Sequence, residues 1–314
     1  MKLRVLLALA FFLSGSLLTL LITSRYTINI SPRDKSSLDN SKNLSPAPTG
    51  GSFASVDYLK IKKMVLPDEG FRINAAFGDL GPRLVEFGAI DLKKFEDNFQ
   101  PDGGLTEAQK EILTKETSLP IAINEKNATF MVNFFWALGL ANKNRILDEG
   151  PMAKDRTQLG NFASTGGWTL GRDKAVVLFS KYEIIKLTAD QQRIVEEIVS
   201  NVFRPCCGNP TSFPDCNHGM AALGLAEYLA SKGFPREEIY RTILYFNSFW
   251  FPQNYLDLAA YFELKGTDWS KVNPEMVLGE AYSSGQGYAR IKSELDTKIG
   301  VQPKSGGSGR GCGT

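Results

Sequence analysis

The hydrophobic and polar positions along the chain predict helices through its middle. Residues 128–141 (ATFMVNFFWALGLA) are apolar on every side but too few to cross a bilayer, which predicts a central core helix. In residues 188–203, apolar side chains recur at helical spacing opposite a row of Gln and Glu, so one face of that helix is expected to be buried. Short strand candidates are few, with residues 175–179 among them. The pattern predicts a mainly α-helical fold.

Local sequence signals predict where several helices begin and end. Two Thr-x-x-Gln sequences, at 106–109 and 188–191, fit the capping box, in which the Thr and Gln side chains bind each other's backbone N–H groups. Each therefore predicts the start of a helix. A further helix is expected between Pro235 and Pro252, and the next one is expected to end at Gly266.

An uncharged segment of 19 residues, 5–23, follows Lys2 and Arg4. As a helix it would be about 28 Å long, close to the hydrocarbon thickness of a bilayer. We predict a single-pass membrane anchor, with a cleaved signal peptide as the alternative. Because positive charge precedes the segment, the bulk of the chain is expected outside the cytoplasm, in the periplasm or the extracellular space. If the segment is cleaved, the protein would be secreted.

Composition divides the rest of the chain into three parts. Residues 24–55 are rich in Ser, Asn, Pro and Lys with few large apolar groups, which predicts a flexible linker. Residues 302–314 form a Gly/Ser-rich tail with Cys312 near its end. Between them, residues 56–301 are enough for a compact multi-helix globular domain. The anchor, residues 1–23, completes the predicted domain organisation.

Charge and histidine content exclude several functional classes. Lys and Arg number 36 against 34 Asp and Glu, so the formal net charge of +2 provides no overall field for binding nucleic acid. The single histidine, His218, excludes a three-histidine zinc site and an HExxH protease site. Candidate chemistry therefore concentrates around this residue.

Three of the four cysteines and the only histidine lie within 13 residues. They are Cys206, Cys207, Cys216 and His218. Pro205 is expected to end the preceding helix, and Asp215 is expected to be the N-cap of the next, with Cys216 at its first helical position. The positive end of a helix favours a thiolate, so this placement indicates reactive or metal-binding sulfur.

The cluster predicts a site for a soft transition metal, zinc or copper. Three Cys and one His would complete a tetrahedral set. Adjacent cysteines do not easily bind one ion, so an alternative site uses one of Cys206 and Cys207 and is completed by water, Met220 or Cys312. The tail spans about 20 Å, enough for Cys312 to reach back. The predicted function is to sense, buffer, traffic or use this ion, with a metal donor or acceptor as partner.

Two other interpretations of the same cysteines are open. In a thiol–disulfide oxidoreductase, Cys216 would attack a disulfide of the substrate, with His218 as its proton partner. One of the adjacent cysteines would resolve the mixed disulfide, and Cys312 would be a mobile thiol shuttle. In a disulfide-stapled interaction domain, a bridge from Cys206 or Cys207 to Cys216 would close a loop of about ten residues. The oxidoreductase would be an enzyme with a thiol partner, whereas the interaction domain would not be an enzyme.

Weaker candidates lie beside the cluster and in a glycine-rich segment. Residues 160–173 (GNFASTGGWTLGRD) would line a pocket or bind an anion through backbone N–H groups, or would form a loop with Trp168 as its core anchor. Asn217 and Met220 are further candidate pocket residues. The aromatic-rich residues 246–255 would either cover the cysteine site or pack in the core.

Overall fold

The computed structural model describes residues 56–299 of the chain. The predicted anchor and linker, and the tail with Cys312, lie outside these residues. Among the described helices, none is both long and apolar enough to cross a membrane. The described part is mainly helical, which confirms the predicted fold class for this region.

Between residues 56 and 299 the chain forms fifteen α-helices, three 3-10 helices and one antiparallel sheet of two strands. The α-helices are α1 (Tyr58–Val65), α2 (Leu80–Glu86), α3 (Leu92–Phe99), α4 (Glu107–Thr114), α5 (Ala128–Ala141), α6 (Arg145–Glu149), α7 (Ala163–Gly166), α8 (Ala175–Leu178), α9 (Ala189–Asn201), α10 (Asn217–Ser231), α11 (Arg236–Trp250), α12 (Pro252–Leu264), α13 (Pro274–Leu278), α14 (Glu280–Ser283) and α15 (Gly285–Ile299). The 3-10 helices are Gln100–Asp102, Pro151–Asn161 and Trp269–Lys271. Strands β1 (Phe71–Gly78) and β2 (Thr117–Ile123) pair with Phe71 opposite Ile123 and Gly78 opposite Thr117.

The two predicted capping boxes, the predicted core helix and the predicted Gly266 helix end are confirmed. Thr106 and Thr188 each accept a hydrogen bond from the backbone N–H of the Gln three residues later, and each Gln side chain accepts one in return, so both capping boxes form. Helix α5 coincides with the predicted core helix and is buried beyond its first turn. Gly266 follows α12 with φ of +80°, the left-handed conformation that glycine provides at helix ends.

The predicted strand at residues 175–179 is wrong, because Ala175–Leu178 form the single-turn helix α8. Ala175 and Leu178 are buried while Val176 and Val177 are exposed. Burial three residues apart is the spacing of a helix, whereas a strand buries alternate residues.

Helices α5 and α10 cross in the centre of the domain, and both are almost completely buried. A Cβ atom on Gly139 would lie 2.0 Å from the carbonyl oxygen of Met220, and one on Gly224 would lie 2.4 Å from that of Phe135. Both distances are far below van der Waals contact, so only glycine allows the two backbones to approach this closely. The crossing fixes α10, and with it the position of its N-terminus.

Glu227 lies in the interior of α10 and is completely buried. Its Oε2 accepts a hydrogen bond from Asn142 Nδ2 at 3.0 Å. Burial raises the pKa of this carboxyl well above its ordinary value, although the hydrogen bond from Asn142 opposes the shift. The carboxyl therefore stays protonated in the folded protein at pH values where an exposed glutamate is ionised.

We expect Glu227→Gln to become increasingly stabilising, relative to the wild type, as the pH rises. In the unfolded chain Glu227 ionises near its ordinary pKa of 4.5, while the folded protein keeps the proton. The wild type therefore loses about 1.4 kcal/mol of stability per pH unit between that value and the raised folded pKa, and the glutamine variant does not. Urea unfolding of both proteins across the acid to neutral range measures the difference. Glu237→Gln, on the exposed first turn of α11, is the control, and a difference independent of pH would contradict the expectation.

Candidate metal centre

Cys216 is the N-cap of helix α10. Its backbone is extended, and its Sγ accepts a hydrogen bond from the Gly219 N–H at 3.4 Å. The prediction that Asp215 would be the N-cap, with Cys216 inside the helix, is wrong. The Asp215 carboxylate binds Arg204 at 2.7 Å and Asn209 at 2.8 Å, so these partners take the place of the helix N–H groups. The sulfur of Cys216 therefore lies at the positive end of the helix, where negative charge is stabilised.

The Sγ atoms of Cys206, Cys207 and Cys216 all lie within 4.8 Å of one another. The Cys206 and Cys216 sulfurs are 3.6 Å apart. Two thiolates at about 2.3 Å from a tetrahedral zinc ion are separated by about 3.8 Å, so the observed spacing is close to that of sulfurs sharing an ion. The adjacent Cys206 and Cys207 were expected to bind one ion only with difficulty, yet both sulfurs belong to the group.

Backbone hydrogen bonds hold the loop between α9 and α10 from two sides. The Thr211 and Ser212 N–H groups donate to the carbonyls of Val202 and Val199, at 2.8 and 2.9 Å, at the end of α9. The N–H of Gly285, the first residue of α15, donates to the carbonyl of Cys207 at 2.7 Å. The cysteines are thus positioned by elements distant in the sequence as well as by their own loop.

Arg204 belongs to the site, although the sequence analysis did not identify it. The side chain is completely buried. Its Nε donates to Cys216 Sγ at 3.0 Å, and its two Nη atoms donate to the Asp215 carboxylate at 2.7 Å and the Asn209 carbonyl at 2.9 Å. The guanidinium occupies the space that a side chain at position 219 would need, since a Cβ on Gly219 would lie 2.5 Å from its Cζ.

The charge of Arg204 is retained inside the protein. Burial lowers the pKa of its guanidinium, but the nearby Cys216 and Cys207 sulfurs raise it by more, so the net shift is upward. A buried cation requires partners of opposite charge. The Asp215 carboxylate, 2.7 Å from the guanidinium, is one, and the sulfur of Cys216 accepts a further hydrogen bond from it.

The three thiols differ in exposure. Cys206 is exposed, Cys207 is half-buried, and Cys216 is only 4% exposed. A hydrogen bond with Cys206 lowers the pKa of the Cys207 thiol, but a hydrogen bond with Cys216 and burial together raise it to about 11. Cys207 therefore carries its proton at neutral pH, and a metal ion binding there must displace that proton.

His218 lies outside the group of side chains close enough to hold one ion. Its ring packs against Phe251 and Trp250, with centroid distances of 4.4 and 5.9 Å, and its buried Nδ1 makes no hydrogen bond with residues 56–299. Burial lowers the pKa of the imidazole to about 4, with charge on Cys216 acting in the opposite direction. His218 is therefore neutral at physiological pH.

The remaining predicted site residues, Met220, Asn217 and Trp168, lie in different surroundings from one another. Met220 is completely buried in the core, and the Oδ1 of Asn217 accepts a hydrogen bond from the next backbone N–H, at 2.9 Å. Trp168 lines a cavity apart from the cysteines, together with other residues of the 160–173 segment. Trp250 and Phe251, from the aromatic-rich segment 246–255, lie against His218, so that segment borders the cysteine loop.

No family model, curated protein or solved structure matches this chain. Three sulfurs within metal-binding distance, beside a buried guanidinium and a helix N-terminus, form a cluster compatible with metal binding or with thiol redox chemistry.

Proposed function

We propose that Cys206, Cys207 and Cys216 bind one soft metal ion, and that the protein takes up and releases that ion. The observation that carries the proposal is the convergence of the three sulfurs within 4.8 Å. Thiolate sulfur is the ligand that zinc and Cu(I) prefer in proteins. Because Cys206 is exposed, the ion would be accessible to an exchange partner from that side.

The charges around the cluster favour a divalent ion over Cu(I). With Cys216 ionised beside Arg204, the two other thiols release their protons as the ion binds. A divalent ion then replaces two protons, and the net charge of the buried site does not change. A univalent ion would leave one additional negative charge there, which is costly in a poorly solvated position. Zinc is therefore the first ion to test, with water or Cys312 as its fourth ligand.

The experiment is elemental analysis with a free-thiol count on the full chain purified under reducing conditions. We expect about one zinc ion per chain, and Ser in place of Cys206, Cys207 or Cys216 should weaken zinc binding at least about tenfold. Ser212→Ala, in the same loop, is the control, because only the backbone of Ser212 is used to hold the loop. His218→Ala and Cys312→Ser test the two ligands that the sequence predicts beyond the sulfur group. A chain that binds neither zinc nor Cu(I) when both are offered would overturn the proposal.

A thiol–disulfide oxidoreductase is the second candidate, and the 3.6 Å contact between Cys206 and Cys216 favours it. The exposed Cys206 would attack a disulfide of the substrate, releasing one substrate thiolate and forming a mixed disulfide. Cys216, held beside Arg204, would then attack the sulfur of Cys206 and release the second thiolate. These roles differ from the sequence-based prediction, in which Cys216 attacked, because Cys216 is buried.

Alkylation separates the two functions. Metal-bound thiolates resist alkylation until a chelator removes the ion, whereas a redox pair without metal reacts directly after mild reduction. Protection of the thiols from alkylation that depends on bound metal supports the metal-binding function. Rapid reaction in the presence of zinc, with turnover of a model disulfide, supports the second.

A further inference from the structure

A second candidate site lies apart from the cysteines, in a cavity of about 550 Å³ lined by part of the segment 160–173. Trp168 anchors this segment. Its side chain is 3% exposed, and its Nε1 donates to the Ala89 carbonyl at 3.0 Å. The pocket and the core anchor, which the sequence offered as alternatives for this segment, therefore occur together. Trp168 attaches the cavity wall to the core.

The cavity carries net positive charge. Lys94, Arg172 and Lys174 line it, against one lining carboxylate, Asp173. The Lys94 Nζ donates to the Gly171 carbonyl at 2.7 Å, and the Arg172 guanidinium donates to a carbonyl of α2 at 2.8 Å, so both cations are held in place. Lys174 makes no hydrogen bond or ion pair through its side chain with any residue that the structure describes. Its ammonium is available to a ligand.

Residues with unpaired backbone N–H groups belong to the same lining. Thr169, Gly171 and Asp173 all line the cavity, and their N–H groups donate to no acceptor within residues 56–299. Gly171 is buried, and a buried N–H without an acceptor is uncommon in folded proteins. These N–H groups are not consecutive, since the Arg172 N–H donates to the Gly88 carbonyl at 2.8 Å, but beside cationic side chains they are donors for an oxyanion.

We infer that this cavity binds the phosphate group of a small organic phosphate ester. The cations and the N–H groups would bind the phosphate oxygens. The cavity volume lies in the range typical of organic ligands, and Trp168 and Val176 add apolar surface to its lining. Val176 is 44% exposed, so its side chain is accessible to the organic part of a ligand.

The test is calorimetric titration of the full chain with inorganic phosphate and, separately, with phenyl phosphate. We expect both to bind, phenyl phosphate more tightly, and both to bind more weakly as the salt concentration rises. Lys174→Gln should weaken both about tenfold or more, since it removes a charged hydrogen-bond donor. Lys126→Gln, at an exposed position outside the cavity lining, should leave binding unchanged.

The folded state of the variants is checked by circular dichroism, and Lys174→Arg, which keeps the charge, should retain binding. Absence of binding by both probes would overturn the inference, as would equal affinity of the two Gln variants. If inorganic phosphate binds as tightly as phenyl phosphate, the organic part of the inference is wrong and the cavity takes the free anion.

Discussion

Arg204→Met is expected to lower the free energy of unfolding by about 3–5 kcal/mol, the cost typical of removing one partner of a buried ion pair. The substitution leaves the Asp215 carboxylate without its 2.7 Å cation contact and removes the donor to the sulfur of Cys216. It should also weaken zinc binding, because the positive charge that balances the thiolates is lost. Urea unfolding of the metal-free chain and a zinc competition assay measure the two effects separately.

Two further variants make the Arg204 prediction specific. Arg204→Lys keeps the charge but cannot reproduce three hydrogen bonds in a planar arrangement, so its stability should lie between those of the wild type and Arg204→Met. Arg204→Met combined with Asp215→Asn removes both charges and should recover part of the loss. If Arg204→Met were as stable as the wild type, the guanidinium would have no structural role in the cluster.

Gly224→Ala is expected to destabilise the domain by about 3 kcal/mol, because the new methyl group would lie 2.4 Å from a backbone carbonyl oxygen of α5. Backbone atoms inside a packed helix pair cannot move aside as the end of a side chain can, so α5 and α10 must separate. Thermal and urea unfolding measure the loss. The matched control is Gly208→Ala, since a Cβ there meets no heavy atom within 4 Å and the glycine φ is not in the left-handed region. Equal stability of the two variants would show that the crossing can relax.

The helices could be predicted from the sequence because their signals are local. A capping box or an apolar run of one helix length requires no knowledge of distant residues, and α4, α5 and α9 follow from such patterns. The sheet was not predicted, because β2 contains Pro120 and the burial along β1 does not alternate regularly. The two strands stabilise each other by direct pairing, although helices separate them in the sequence.

The cysteine cluster could be predicted from the sequence, whereas its surroundings could not. Their close spacing in the sequence was sufficient to predict that Cys206, Cys207 and Cys216 lie together. Arg204 carried only a weak signal, a cation following the apolar Val202 and Phe203, and its role depends on how α10 packs against the loop. Proximity in sequence also made His218 a predicted ligand, but aromatic side chains from the end of α11 hold its ring outside the sulfur group.

The hydrogen bond from Gly285 to the Cys207 carbonyl has a consequence for how the protein matures. Cys207 leaves the ribosome 78 residues before Gly285, so during synthesis its loop lacks one of the contacts that fix it. The sulfur arrangement described for the folded chain is therefore complete only after α15 has formed and docked. Under the proposed function, an ion would enter the finished geometry only after the domain has been translated.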